Sequence, residues 1–322
     1  MQKFLFIKSA HIDDEATRYN VQEDITSLEQ TLIKVYKDID IEICAVTANS
    51  EWLMHGRTIT PEVKLKNYDR VFVFVHNIDK AIDNIKENTK LFAKQVTFLY
   101  KASDEIFHNA QKIEELVKIN NTENYKIKFP HQIHINTKEY NDNATTTGEI
   151  VSRYMRLLFL PIHTLETKHS KHKNHKNINL SYNALEFIKN IDTLRHTFDE
   201  LTFREHIPGH QVYVAVMPDY KGEEFYTFIP LIEKDVNGIA MFEVAPLSML
   251  EKEGVRNIVT NISKISFQSQ PVVYKLSVHK KRGIFVQSSS SMLTYLLYYP
   301  DFVFESVGSL GLDIEEFINK VF

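Results

Sequence analysis

The segment at residues 168–177 has the highest density of side chains that could bind a ligand. It reads KHSKHKNHKN, and its basic side chains are Lys168, His169, Lys171, His172, Lys173, His175 and Lys176. A row of ammonium groups could hold an anion such as phosphate. The three histidines could instead hold a divalent metal, although the neighbouring ammonium groups oppose a cation and no carboxylate lies beside them. A solvated loop is the third interpretation, because the segment has no apolar periodicity.

A serine run, a histidine and several aromatic residues are the other candidates for chemistry or contact. Residues 288–291 (SSSS) offer hydroxyl groups, but no Gly-x-Ser-x-Gly elbow surrounds them, so we do not predict a nucleophile. His76 follows the apolar run RVFVFV and could contact a ligand or be a hydrogen-bonded structural residue. The aromatic candidates for a contact surface or for ordinary core are Trp52, Tyr295, Tyr298 and Tyr299. The run MLTYLLYYP that holds the tyrosines could fill a cleft or bind a partner.

The elements that must position these residues alternate between strands and helices. Residues 3–7 and 41–46 are β-like runs, and residues 21–36 between them carry apolar residues at helical spacing. A small excursion turns at Gly56, and residues 70–75 form a buried strand because their apolar character is unbroken. This order predicts a parallel sheet with helices on its faces.

The rest of the chain has further strands and helices but no internal repeat. The predicted helices are 79–92, 104–119, 184–194, 248–265 and 313–321. The predicted strands are 95–100, 131–135, 201–206, 211–217 and 224–232, followed by a hairpin of 272–278 and 284–287 through the turn HKKRG. The first domain boundary is predicted between residues 120 and 145.

Composition and charge limit the possible partners and the cellular compartment. A chain of 322 residues, 43% of them hydrophobic, suits two or three folded domains. The 38 basic and 42 acidic residues give no global field for nucleic acid or an anionic membrane. Cys44 is the single cysteine, and the N-terminal apolar run is too short for a signal peptide, so we expect a cytoplasmic protein. The 9 glycines leave few places for a phosphate-binding loop.

Four segments together resemble the D-alanine:D-alanine ligase family, especially its divergent bacterial branches. They are EWLMHGRTITPEVKLKNYDRVFVFVHN, LTFREHIPGHQVYVAVMPDYKGEEFYTFIPLIE, VVYKLSVHKKRGIFVQSSSSML and FESVGSLGLDIEEFINKVF. The resemblance covers most of the chain. It implies an α/β protein of ATP-grasp architecture, with an N-terminal Rossmann-like domain at 1–125 and two α+β subdomains at 126–210 and 211–322.

The resemblance also implies where the metal site of the family would lie. A match anchored on the KRG turn places Lys275 at the family's aspartate, Ser288 at its glutamate and Ser290 at its asparagine. A shift of one residue would place Gln287 at the glutamate. Magnesium prefers hard oxygen ligands, and a lysine would repel it, so we expect no metal. The family's arginine falls on Val273, which removes the charge clamp for a transferring phosphoryl group.

The nucleotide-binding positions of the family are also changed. Its ribose-binding glutamate corresponds to Gln211, and its hinge glutamate corresponds to Arg204, with Glu205 close enough to substitute. The phosphate lid aligns with residues 159–177, which contain no glycine, so Lys168 and Lys171 would have to hold the phosphates.

Two N-terminal positions complete the comparison with the family. His76 stands at the histidine of a His-Gly dipeptide, with Asn77 where the glycine would be. Glu15 could stand for the glutamate that orients the first amino acid, although SAHIDD replaces the glycine turn before it.

These changes predict a catalytically inactive homologue of the ligases that acts as a binding or regulatory protein and needs no cofactor. Its partner would be another protein or a second copy of the chain. The protein would act beside a cell-wall (peptidoglycan) enzyme or as a subunit of a larger assembly. The alternative is a divergent ATP-dependent carboxylate-amine ligase, for D-alanyl-D-alanine or a related product. That enzyme would bind ATP and magnesium and use Glu205, Glu243 or other carboxylates from shifted positions.

Overall fold

The structure is a computed structural model with three β-sheets and helices packed against them. It describes residues 1–10, 15–75, 79–99, 110–119, 127–136, 162–166, 179–194, 200–236, 239–266 and 268–322. Within these residues, none of the helices combines the length and the apolar character that crossing a membrane requires.

The first sheet has a parallel core and an antiparallel hairpin at one edge. Its strands are β1 (Gln2–Ser9), β2 (Ile39–Val46), β3 (Trp52–Met54), β4 (Arg57–Thr58), β5 (Arg70–Phe74) and β6 (Val96–Phe98), in the order β4-β3-β2-β1-β5-β6. The helices of this region are α1 (Glu15–Val35), α2 (Pro61–Leu65) and α3 (Ile82–Phe92). Strands β2, β1, β5 and β6 are parallel, and β3 and β4 add antiparallel pairs. This is the Rossmann-like arrangement that the sequence predicts.

Apolar residues cover both faces of this sheet because side chains alternate along a strand. One face consists of Phe4, Phe6, Phe72 and Phe74 and packs on α1. The other consists of Leu5, Ile7, Val71 and Val73 and packs on α3. Trp52 is buried in the second of these cores, and its indole nitrogen donates to Asn84 Oδ1 at 2.9 Å.

The central sheet is antiparallel. Its strands are β7 (Gln132–Asn136), β8 (Ile162–Glu166), β9 (Asn179–Ser181) and β10 (Glu200–Glu205), in the order β7-β10-β8-β9. Helix α4 (Ala110–Ile119) precedes it, and α5 (Ala184–Leu194) lies between β9 and β10. Phe187 of α5 packs on Phe203 of β10 with ring centroids 4.7 Å apart.

The third sheet carries the hairpin that the resemblance assigns to the metal site. Its strands are β11 (His210–Tyr220), β12 (Glu223–Thr227), β13 (Leu231–Val236), β14 (Ile239–Val244), β15 (Val272–His279) and β16 (Gly283–Ser291). The order is β14-β13-β11-β15-β16, with β12 also paired to β11. Helices α6 (Met249–Ile265), α7 (Met292–Tyr298), α8 (Pro300–Gly308) and α9 (Ile314–Val321) complete this part.

The third sheet differs from the predicted elements in three places. The predicted strand 224–232 is two strands, β12 and β13, and Pro230 lies in the break, where it cannot donate a ladder hydrogen bond. Strand β14 was not predicted. Strand β16 continues through the serine run to Ser291, because every one of these serines pairs with β15.

Both faces of the third sheet are covered. Helices α7, α8 and α9 lie on one face, and their core residues belong to the same cluster as the phenylalanines of β1 and β5. Helix α6 covers the other face, where Ile113 of α4 joins it. Helix α4, although it falls within the predicted first domain, therefore packs with the third sheet; the domain boundaries themselves stay a prediction.

Candidate functional site

The hairpin of β15 and β16 brings the predicted metal-site positions together. Lys275 lies directly opposite Ser288, and Val273 lies opposite Ser290. The pairing breaks register between Lys275 and Leu276, so Gln287 is the extra residue of a β-bulge. The site thus presents a half-buried lysine, hydroxyl groups and one amide, with a buried valine beside them.

These residues do not fit a magnesium ion. Magnesium needs several oxygen ligands, usually including one or two carboxylates, and here the hairpin offers an ammonium group and neutral side chains. Among the residues that the structure describes, no three His, Cys, Asp or Glu side chains are grouped so as to hold a metal ion. The geometry therefore supports no step through a metal at this hairpin.

Lys275 contacts an aromatic ring on the neighbouring strand. Its Nζ lies 5.2 Å from the centroid of Tyr213, which is its partner on β11. The Tyr213 hydroxyl donates to Glu233 Oε2 at 2.6 Å. Burial, and then the hydrogen bond to Glu233, raise the pKa of Tyr213, so this hydroxyl stays neutral at physiological pH. The lysine is thus held against a ring on the sheet surface.

Aromatic side chains from α7 and α8 cover this face of the sheet. Tyr295 is 8% exposed, and its ring centroid lies 6.1 Å from that of Tyr213 and 4.7 Å from that of Phe302. Phe242 of β14 packs on Tyr213 at 5.5 Å. For Tyr295, which was predicted to belong either to a contact surface or to ordinary core, the structure supports the core. Tyr298, in contrast, is exposed, and its hydroxyl donates to Asp24 Oδ2 at 3.3 Å.

Arg204, on which the resemblance places the hinge glutamate, and its neighbour Glu205 both contact the third sheet. Arg204 Nη1 donates to the backbone oxygen of Gln287 at 3.3 Å, and burial lowers the pKa of its guanidinium. Glu205 is 1% exposed, and its carboxylate accepts from Arg282 Nη2 at 2.6 Å and from the His131 backbone at 3.4 Å. Glu205 is therefore engaged by a cation of this same chain.

Gln211 is part of a small polar network. Its Nε2 donates to Ser277 Oγ at 2.6 Å and to the Ile207 carbonyl at 3.4 Å. Gln287 Nε2 donates to the same serine oxygen at 2.8 Å. The chain enters β11 through Gly209, whose φ is +126° and where a Cβ would lie 2.3 Å from the Val278 oxygen, so only glycine fits there.

The structure does not describe the side chains of four other predicted site residues. His76, Lys168 and Lys171 are outside the described residues. Helix α1 begins at Glu15, but its side chain is also outside them. Their roles stay predictions.

Tyr213, Glu233 and Arg282 were not among the site residues predicted from the sequence. Tyr213 follows Gln211 by two residues, so both side chains lie on the same face of β11. The alternation of side chains along a strand could therefore have identified Tyr213 from the sequence. The partners Glu233 and Arg282 come from distant parts of the chain, and no local pattern points to them.

Comparison with solved structures identifies the fold. No family model matches the chain, and no curated protein sequence matches it. VanG D-Ala:D-Ser ligase from Enterococcus faecalis is 13% identical and matches 99% of this chain and 98% of its own, with a TM-score of 0.59. D-alanyl-alanine synthetase A from Vibrio cholerae is 9% identical over 99% and 97% of the two chains, with a TM-score of 0.63. A D-alanine–D-alanine ligase from Bacillus anthracis, complexed with ATP, is 12% identical over 100% and 96%, with a TM-score of 0.58.

These similarities extend over nearly the whole length of both chains and establish the architecture. The chain has the ATP-grasp fold. Within that fold, the solved structures to which it is similar are D-Ala:D-Ser and D-alanine:D-alanine ligases. The identities of 9–13% bear on the fold alone.

Proposed function

We propose that this protein is a catalytically inactive homologue of the D-alanine:D-alanine ligases and acts as a binding or regulatory protein. The observation that carries the proposal is the pairing of Lys275 with Ser288 and of Val273 with Ser290. The residues that stand for the ligands of a metal and for a phosphoryl clamp are neighbours on one hairpin, and none of them has a negative charge.

The electrostatics of the hairpin oppose the chemistry of a ligase. Transfer of a phosphoryl group relies on cations that neutralise developing charge, and magnesium supplies most of that charge in related reactions. An ammonium group at position 275 repels the ion, and a valine that is 1% exposed replaces the arginine. Two separate requirements of the reaction are therefore missing from the same place.

Packing on this face supports the same conclusion. Tyr295 lies over Tyr213, the ring that Lys275 contacts, and Tyr299 packs on Tyr295 at 5.6 Å. A substrate placed against this part of the sheet would have to displace buried rings, and each such ring removes a large apolar area from water. These rings stabilise the fold at a place where an enzyme needs an open cleft.

The alternative is a divergent ATP-dependent ligase, which the retained fold favours. It would need carboxylates from shifted positions, and the two candidates already have cationic partners. Glu205 is paired with Arg282, and Glu243 is paired with Lys234 at 2.5 Å. We therefore favour the binding role over the ligase. The proposed partner is another protein or a second copy of this chain, in the cytoplasm. A peptidoglycan enzyme is one candidate partner.

Calorimetric titration with Mg-ATP, with ADP and with D-alanine tests the proposal. We expect no heat of binding at millimolar nucleotide and no magnesium-dependent formation of ADP in the presence of D-alanine. The Bacillus anthracis ligase, measured under the same conditions, is the positive control. Magnesium-dependent ATP hydrolysis stimulated by D-alanine would contradict the proposal and favour the divergent ligase.

A further inference from the structure

Helix α6 exposes two large apolar side chains in its first turn. Met249 is 89% exposed and Leu250 is 80% exposed. The turn is fixed by a capping box, in which Ser248 Oγ accepts from the Glu251 backbone at 3.3 Å and Glu251 Oε2 accepts from the Ser248 backbone at 2.9 Å. These two adjacent side chains form a small apolar patch on the surface, and the capping box fixes the backbone that carries it.

The turn between β15 and β16 presents two exposed lysines, Lys280 and Lys281. His279 Nδ1 accepts from the backbone nitrogens of Lys281 at 3.1 Å and Arg282 at 3.0 Å, which fixes the turn. Lys128 Nζ donates to the Arg282 carbonyl and holds the turn from the other side. Within the described part of the chain, neither Lys280 nor Lys281 forms an ion pair. Both ammonium groups are therefore exposed to solvent, and hydrogen bonds already fix the backbone of the turn that carries them.

The apolar turn and the basic turn are neighbours. A Cβ on Gly254 of α6 would lie 3.0 Å from the Ile284 side chain, directly after the basic turn. The hydrogen bonds from Ser248 lower the pKa of Glu251 in the first turn of α6, and the charge of Lys280 in the basic turn lowers it further. His210 pairs with Val278 at the end of β15. The two turns thus form one surface.

We propose that the surface formed by Met249, Leu250, Lys280 and Lys281 binds an acidic segment of a partner protein that also carries apolar side chains. The lysines match acidic side chains, and the Met249 and Leu250 side chains match apolar ones. Because both turns are fixed before binding, the complex loses little conformational entropy at this surface. The inference rests on the proposed binding role and specifies its partner.

An anionic membrane fits this surface less well. Glu253 is exposed near the same end of α6, and Glu251 is half-buried in its first turn. An anionic headgroup layer is a continuous negative surface, so both carboxylates would lie against it if Met249 and Leu250 entered it. A peptide, in contrast, can place acidic side chains beside Lys280 and Lys281 and neutral ones beside Glu251 and Glu253. Two lysines provide limited compensation, because stable attachment usually takes a cluster of basic residues.

Selection from a display library of short random peptides, on the immobilised full-length protein, tests this inference. We expect the selected peptides to combine acidic and apolar residues and to bind less tightly as salt increases. The affinity of the synthesised peptides should fall about tenfold or more in Lys280→Glu/Lys281→Glu and in Met249→Ser/Leu250→Ser. All four side chains are exposed, so the thermal midpoints of both variants should match that of the unmodified protein.

The matched control is Lys86→Glu/Lys90→Glu, which reverses two exposed lysines on α3 and should leave peptide affinity unchanged. Peptides that bind all variants equally, or a library that yields no binder, would overturn the inference. Vesicles of phosphatidylglycerol that bind the protein through the same four residues would overturn it in favour of a membrane surface. Nucleotide titration on the same preparation separates the two proposals, because binding of Mg-ATP counts against the inactive role and not against the peptide surface.

Discussion

Glu205 and Arg282 form an ion pair that links two parts of the fold. Glu205 ends β10 in the central sheet, and Arg282 lies in the turn of the third sheet, with its guanidinium 5.0 Å from the Phe285 ring. The Glu205 side chain is 0% exposed, whereas that of Arg282 is 36% exposed. Such a carboxylate is stabilised by its partner and becomes costly without it. The pair therefore joins the central sheet to the third sheet.

We expect Arg282→Ala to destabilise the protein by about 3 kcal/mol, because it leaves a buried carboxylate without a charged partner. The free energy of unfolding, measured by urea denaturation, provides the test. Lys94→Ala is the control, since it breaks an exposed ion pair with Asp69 and should cost less than about 1 kcal/mol. Equal losses in the two variants would show that the Glu205–Arg282 pair contributes no more than a surface contact.

Single residues show why part of the site could be predicted from sequence and part could not. The turn HKKRG is local and predicts a hairpin, in which a regular register would pair Lys275 with Gln287. The bulge at Gln287 moves the pairing of Lys275 to Ser288, and the contact of Lys275 with Tyr213 depends on β11, which is distant in the sequence. The bond of Tyr213 to Glu233 likewise joins two strands, and only the assembled sheet determines it.

Among the secondary-structure elements, β2 is tied to the segment before β5 by a tyrosine–carboxylate contact. The Tyr68 hydroxyl donates to Glu42 Oε2, and His55 Nε2 lies 3.6 Å from the same carboxyl group. The bond from Tyr68 lowers the pKa of Glu42 below its ordinary value of 4.5, with smaller effects of His55 and Lys64. Burial, and then the bond to Glu42, raise the pKa of Tyr68. The contact thus depends on a charged Glu42 and a neutral Tyr68.

The sign of the pH effect follows from this contact. A lowered carboxyl pKa contributes stability above pH 4.5, and that contribution is lost as the pH falls through the value in the folded protein. We expect Tyr68→Phe to be less stable at neutral pH and to show a smaller loss of stability between about pH 5 and pH 3. Tyr36→Phe is the control, because the Tyr36 hydroxyl bonds to the Asn319 amide oxygen at 2.8 Å and to no carboxylate. Identical acid slopes for Tyr68→Phe and the unmodified protein, from urea unfolding at each pH, would argue against the contact.

Elements with a strong local signal were predicted well, and elements that need a neighbour were not. Helix α5 at Ala184–Leu194 matches its prediction, because its buried residues recur at helical spacing. Strand β14 has the apolar sequence IAMFEV but exposes much of its length, and pairing with β13 defines it. The serine run is a poor strand by propensity, yet it extends β16 because β15 supplies a complete partner.

Across the entire chain, one apolar core joins the first sheet to the third. Phe72 of β5 packs on Phe322 at 4.7 Å, and Phe317 of α9 packs on Phe228 beside β12 at 5.2 Å. The C-terminal helices therefore lie between the two sheets and contact both. The first and third sheets therefore share one packed core among the residues that the structure describes.

This shared core predicts that the first and third sheets unfold together. Phe317 is 0% exposed, and Phe317→Ala should cost about 3–5 kcal/mol. Native-state hydrogen exchange should then show an equal loss of protection in β5 and in β11, although the two strands are far apart in the sequence. Phe187→Ala is the matched control, since it removes an equally buried ring that packs on Phe203 in the central sheet. We expect that variant to lower protection in β10 and to leave β5 unchanged. Loss of protection in β11 alone after Phe317→Ala would mean that the two sheets are independent units, and that the C-terminal helices belong to the third sheet only.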